Sequence, residues 1–169
     1  MKSSLPLAMT AHRYEKLAAP FKRHPLLQSV VVWVNRGITW LFYITYPIAV
    51  GWMLYTGDYF KERAIYIPAA SFVLLSMLRY WINRPRPYET LAIKPLVNKR
   101  TKGKSFPSRH VFSAFMIAAT LAFVFPWGWI FYIPAALMAC LRVILGVHYP
   151  SDVIAGALFA MLSSMLFLL

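Results

Sequence analysis

The chain has 169 residues, 60% of them hydrophobic and 17% aromatic, with a mean hydropathy of +0.56. Soluble domains hold about 45–50% apolar residues, so this excess argues against a water-soluble fold and for a membrane protein built as one domain over 1–169. Lysine and arginine number 18 against 5 acidic residues, a formal net charge of +13, which leaves nucleic acid, anionic lipid or a phosphorylated substrate as partner. Nucleic acid fits worst, because most of the chain is too apolar to present a solvated basic face. The single cysteine, Cys140, excludes an intramolecular disulfide and reads as a small core residue inside an apolar run.

In chain order, residues 1–36 form a basic segment. The first ~24 residues have no apolar core of the kind a cleavable signal peptide needs. The stretch "HPLLQSVVVWV" is apolar but short, and "NRG" at 35–37 interrupts it. With Lys16, Lys22 and Arg23 upstream, it reads as an amphipathic helix lying at the membrane surface, or as a partial span that merges with the next helix.

A spanning helix needs roughly 20 mostly apolar residues. Five segments within 37–169 qualify, at 38–56, 64–82, 109–125, 127–146 and 151–169. The expected fold is therefore all-α, a polytopic membrane bundle of five clear spans plus the N-terminal amphipathic or partial helix. "FPWGW" joins the third and fourth segments as a tight turn, and Trp127, Trp129 and Tyr132 suit a membrane interface, as do Tyr80 and Trp81. Residues 83–108 are polar, and two X-Pro pairs in "NRPRPYET" force extended backbone, so the second helix should end near Asn83. Lys99, Arg100, Lys102 and Lys104 read as a mobile loop facing headgroups.

Counting crossings brings three separated groups to one membrane face. They are Arg79, Arg84 and Arg86; Ser108, Arg109 and His110; and Arg142, His148 and Asp152. Ionisable residues at the ends of spans are costly and tend to mark function. Several guanidiniums at one point match the paired oxygens of a phosphate. Ser108 is the expected N-cap of the third span, where free amides and the helix dipole favour an anion. Two histidines add chemistry: one can attack phosphorus as a neutral imidazole while the other hands a proton to the leaving oxygen. Asp152, four residues after His148, is placed to hold an imidazole tautomer. A metal site is disfavoured, because carboxylates are few and the arginines would repel a cation.

These residues resemble the type 2 phosphatidic acid phosphatase superfamily. Its motifs Lys-x6-Arg-Pro, Pro-Ser-Gly-His and Ser-Arg-x5-His-x3-Asp are similar to "RYWINRPRP" (79–87), "PSRH" (107–110) and "LRVILGVHYPSD" (141–152), and the resemblance covers about 64–160. It implies His148 as the nucleophile that forms a phosphohistidine, Asp152 as its support, and His110 as general acid and later base. It implies Arg79, Arg86, Ser108 and Arg142 as phosphate-binding residues, with no cofactor and no metal. Three positions depart from the pattern: Arg79 stands for Lys, Arg109 for Gly and Leu141 for Ser. Arg109 and Arg84 become candidates for additional substrate contacts.

The function implied is an integral membrane phosphatase acting on a lipid phosphate monoester or diphosphate, such as phosphatidylglycerophosphate, phosphatidic acid or a polyprenyl diphosphate. A phosphotransferase moving phosphate between lipids and a non-catalytic anionic-lipid carrier are the alternatives. The expected location is a bacterial cell membrane. Outside the motifs, the active-site face carries Lys2, Arg13, Lys16, Lys22, Arg23, Arg36, Lys94, Lys99, Arg100, Lys102 and Lys104, and the other face only Lys61 and Arg63. Positive charge collects in the cytoplasm, so the active site is expected there.

Overall fold

The computed structural model describes residues 10–99 and 101–169. Lys2 and Arg100, counted above on the basic face, lie outside the described residues, as does 1–9 of the stretch read as lacking a signal peptide. The described residues are helical, with no strand among them. In order they form α1 (Ala11–Arg23), α2 (Pro25–Thr56), α3 (Lys61–Ile82), the single turn α4 (Pro87–Thr90), α5 (Arg109–Val124), α6 (Tyr132–Ile144) and α7 (Pro150–Ser164). Short 3-10 turns precede α6 (Gly128–Phe131) and follow α7 (Met165–Leu168).

Each predicted span falls on a helix. Three are long and apolar enough to cross a membrane: Pro25–Thr56, Lys61–Thr90 and Pro150–Leu168. The helices at Arg109–Val124 and Gly128–Ile144 are apolar but shorter. Their outward faces are apolar too. Trp40, Ile44, Ile48 and Trp52 on α2, Phe72, Val73 and Met77 on α3, and Leu158 and Leu162 on α7 are all exposed. A contiguous apolar exterior of this kind is a surface made for lipid.

Of the two N-terminal readings, the surface helix needs correcting and the segment that merges with the next helix is what the structure holds. Residues 25–36 are not a separate surface helix; they are the first third of a 32-residue helix that runs unbroken through "NRG". Pro25 occupies the first turn, where its missing N–H costs nothing. Gly37 costs about 1 kcal/mol relative to alanine, too little to break a helix packed on one side. Asn35 faces inward and is buried, while Arg36 lies over the Trp33 ring at 5.4 Å. The amphipathic surface helix is instead α1, whose Tyr14 and Ala18 are buried against Ile93. Cys140 is also corrected: it is exposed on α6 rather than in the core. In a bundle whose exterior is apolar, an apolar run does not tell the inner face from the outer.

α5 forms the centre. Nine of its sixteen residues are buried, including Phe112, Met116, Ala118, Ala119 and Leu121, and it packs against α7, α6, α3 and α2. Small residues allow the closest approach. A Cβ at Gly156 of α7 would lie 2.7 Å from the Ser108 carbonyl oxygen, so only glycine lets α7 pass the start of α5 at this distance. α3 ends as expected, with Asn83 capping it in the left-handed region at φ 40°. At the opposite end of the bundle, Arg63 donates to the Phe167 carbonyl at 3.0 Å and Tyr46 to that of Ala64 at 2.7 Å.

Candidate active site

The three groups that the sequence predicts on one face do meet. Arg84 Nη1 lies 2.7 Å from Asp152 Oδ1, Arg86 Nη1 donates to the Val147 carbonyl at 3.1 Å, and the Ser108 amide donates to the Asp152 carbonyl at 2.9 Å. The ends of α3, α5, α6 and α7 are therefore stitched together around His148.

Asp152 is fully buried in the first turn of α7. Its Oδ2 accepts from Ser105 Oγ at 2.5 Å and from the Tyr149 amide at 3.0 Å, and faces His148 Nδ1 at 3.4 Å. Its Oδ1 takes Arg84. With Nδ1–H turned to the carboxylate, His148 Nε2 is the free nitrogen, and it has no partner among the described residues. The His148 ring is 3% exposed. Burial pushes its imidazole down to about 4, against the pull of the Asp152 hydrogen bond, so at neutral pH the ring is uncharged.

Ser108 is the N-cap of α5, as expected, but its side chain makes no capping bond. Its hydroxyl is buried without a partner, and so is Arg142 Nε. Arg142 is 5% exposed, and no hydrogen bond or ion pair holds its guanidinium among the described residues. Unpaired buried donors are expensive. Two of them beside the open first turn of a helix mark a place built for an anion. Arg86, 6% exposed, uses Nε on the Gly103 carbonyl and Nη1 on the Val147 carbonyl, leaving Nη2 without a partner among the described residues.

Two arginines are spent differently. Arg79 directs its guanidinium at the carbonyls of Lys104, Ser105 and Pro107, so it buckles the loop that leads into α5. Arg84, the candidate substrate contact, binds Asp152 and Ser151 and lies over the Tyr149 ring at 4.2 Å. Arg109 is exposed, with its guanidinium 5.9 Å from the Phe72 ring centroid.

Arg109 and His110 line one side of a cavity of about 240 Å³. Its other walls are mainly apolar, formed by Phe42, Tyr43, Phe72, Ile117 and Met138. Arg86 and Arg142 therefore lie within electrostatic reach of His148, whose carboxylate partner is paired with Arg84, and the greasy recess opens beside His110. An anionic head with an apolar tail matches both parts.

Sequence reasoning missed Ser105 and Tyr14. Ser105 precedes the recognised motif by two residues, and only its buried bond to Asp152 reveals it. Tyr14 lies under the turn that carries His148: Gly146 sits at φ 72°, and a Cβ there would meet the Tyr14 hydroxyl at 2.5 Å.

The family model described as "PAP2 superfamily" matches residues 63–169. A Bacillus licheniformis protein named bacitracin transport permease protein BcrC is 31% identical over 85% of this chain and 71% of its own length. An undecaprenyl-diphosphatase of Sulfolobus acidocaldarius is 35% identical over 51% of this chain, which spans 43% of that protein. Among solved structures, Aquifex aeolicus LpxE superimposes with a TM-score of 0.72 at 26% identity, over 96% of each chain.

Proposed function

The chain belongs to the PAP2 superfamily, and on that premise we propose that it is an integral membrane phosphatase that hydrolyses a lipid phosphate monoester or diphosphate through a phosphohistidine. The observation that carries this reading is the pair of unpartnered buried donors, Ser108 Oγ and Arg142 Nε, beside the His148–Asp152 pair. The undecaprenyl-diphosphatase among its relatives supports it.

In this mechanism the phosphate enters between Arg86, Arg142, Ser108 and the first amides of α5. Arg79 fixes the loop at 104–107 and adds its charge. His148 Nε2 attacks phosphorus, an N–P bond forms, and the P–O bond to the lipid breaks with its electron pair leaving on oxygen. Asp152 stabilises the charge that develops on the imidazole without taking its proton. His110 supplies the proton to the leaving oxygen and then accepts one from the water that cleaves the N–P bond. Arg84 holds Asp152 from behind. The guanidiniums provide the charge stabilisation that phosphoryl transfer requires.

The test is His148→Ala, purified in detergent and offered phosphatidic acid and a prenyl diphosphate. Phosphate release is expected to vanish while the fold, read by thermal unfolding, persists. Release that continues in the folded variant overturns the reading. Water as sole acceptor, with all phosphate appearing free, separates hydrolysis from transfer to a second lipid. The basic N-terminal and loop residues support a cytoplasmic active-site face. Cysteine placed at 102 should then resist an impermeant reagent in intact cells, and efficient labelling reverses the orientation.

A further inference from the structure

Lys99 belongs to the loop that the sequence assigns to headgroups, yet it is half-buried and within electrostatic reach of the site's arginines. Leu96 is pinned on one side of it: its amide donates to the Leu145 carbonyl at 3.2 Å, and Gln28 Nε2 donates to its carbonyl at 3.0 Å. On the other side, Tyr88 donates to the Thr101 carbonyl at 2.5 Å and the Gly103 amide to Glu89 at 2.9 Å. Between these anchors Lys99 is half-buried. Its ammonium has no hydrogen bond or ion pair among the described residues, and it lies within electrostatic reach of Arg142, Arg86, Arg79, Arg109 and His110.

A lysine in such company is out of place unless an anion joins it. Burial first, then the charges of Arg142, Arg86, Arg79 and Arg109, push Lys99 down from 10.5 to about 8. Asp152 gives no relief, since both of its oxygens are engaged. Arg109 is equally unclaimed by any carboxylate, and it stands next to His110 at the mouth of the apolar cavity. Two cations without acidic partners thus gather near His110, the residue on the leaving-group side.

We propose that Lys99 and Arg109 form a second phosphate subsite on the leaving-group side of His110, which makes a lipid diphosphate the preferred substrate over the monoester. This rests on the function proposed above. His148 Nε2 forms a bond to the terminal phosphorus, and the bond from that phosphorus to the bridging oxygen breaks. The electron pair stays on the bridging oxygen, so a lipid monophosphate leaves with its charge matched by Lys99 and Arg109. Water then cleaves the N–P bond and releases inorganic phosphate. A phosphate leaving group carries negative charge well, so nearby cations do for it what an alkoxide needs a proton to do.

The test compares pairs that share a tail: farnesyl diphosphate against farnesyl phosphate, and diacylglycerol diphosphate against phosphatidic acid. Phosphate release by the full chain in detergent micelles gives kcat/KM for each. The wild type is expected to favour the diphosphate, and Lys99→Met to lower the diphosphate-to-monophosphate ratio about tenfold, the value of one charge-assisted contact. Lys99→Arg should restore most of the ratio, which a purely structural lysine would not predict. A ratio unchanged in Lys99→Met, in either pair, overturns the subsite. Failure of the wild type to hydrolyse any of the four, or full activity of His148→Ala, instead overturns the phosphatase reading itself.

Discussion

Replacing Ser108 by alanine should make the protein slightly more stable and much less active. The Ser108 hydroxyl is fully buried and has no hydrogen-bond partner among the described residues. An unsatisfied buried hydroxyl costs about 1–3 kcal/mol, and alanine removes the hydroxyl without opening a large cavity. The change should therefore add about 1 kcal/mol, or about 3 °C in melting temperature for a chain of this size. In the proposed mechanism the same hydroxyl donates to the phosphate, so its loss deprives the transferring phosphoryl group of one preorganised donor. Such a donor is worth about 10²-fold in kcat. Thermal unfolding in detergent and initial rates of phosphate release measure the two effects on one preparation. A lower melting temperature with unchanged kcat would refute the reasoning, because it would mean that the hydroxyl has a structural partner and does not touch substrate.

Gly156→Ala should instead lose stability and activity together. Its Cβ would have to move from 2.7 Å to the 3.4 Å of ordinary contact with the Ser108 carbonyl, about 0.7 Å, and overpacking of this kind costs about 1–3 kcal/mol. Both melting temperature and kcat should fall, since Ser108 is displaced with α5. Tyr14→Ala empties a fully enclosed position under Gly146 and should cost about 3 kcal/mol, whereas Tyr14→Phe loses the hydroxyl's 3.4 Å bond to the Lys94 carbonyl and its interaction with the Leu96 backbone and should cost about 1 kcal/mol by the same melting assay. For pH, His148 is neutral in the folded protein down to about 4, while an unfolded histidine binds its proton near 6.5. The unfolded state therefore binds more protons in this window. The contribution of His148 is constant above about 6.5, and stability falls as the pH drops towards about 4, by roughly 3 kcal/mol in all. His148→Asn should flatten that slope in unfolding titrations, and an unaltered slope would place its origin elsewhere.

What the sequence made legible was the part encoded by spacing. Crossing parity alone brought Arg86, Ser108 and His148 to one face, because each span returns the chain to a predictable side. The end of α3 at Asn83 follows from proline chemistry that acts over one turn, and α5 does start after Ser108, although the hydroxyl makes no capping bond there. What escaped was the direction of side chains. Arg79 and Arg84 look alike in the sequence, yet one holds a loop through its carbonyls and the other faces a carboxylate. Ser105 and Lys99 depend on how an irregular segment folds back, and no period governs that segment. Cys140 was misread because hydropathy registers that a residue is out of water, not whether protein or lipid surrounds it, and the start of α2 stayed open between two readings because a short apolar stretch suits either.

The shortness of α5 has a consequence for the membrane itself. Sixteen residues of α-helix rise about 24 Å, while the hydrocarbon layer of a bilayer is about 30 Å thick. The helix that ends in the anion site cannot reach both interfaces of an undeformed bilayer. Either the lipid thins around the bundle, or the mouth of the site lies several ångströms below the headgroup plane. In both cases a lipid need not be pulled outward to be processed. In the proposed function the lipid's phosphate sinks towards Ser108 while its tail stays among its neighbours, and bilayers of greater thickness should slow phosphate release by lengthening that descent.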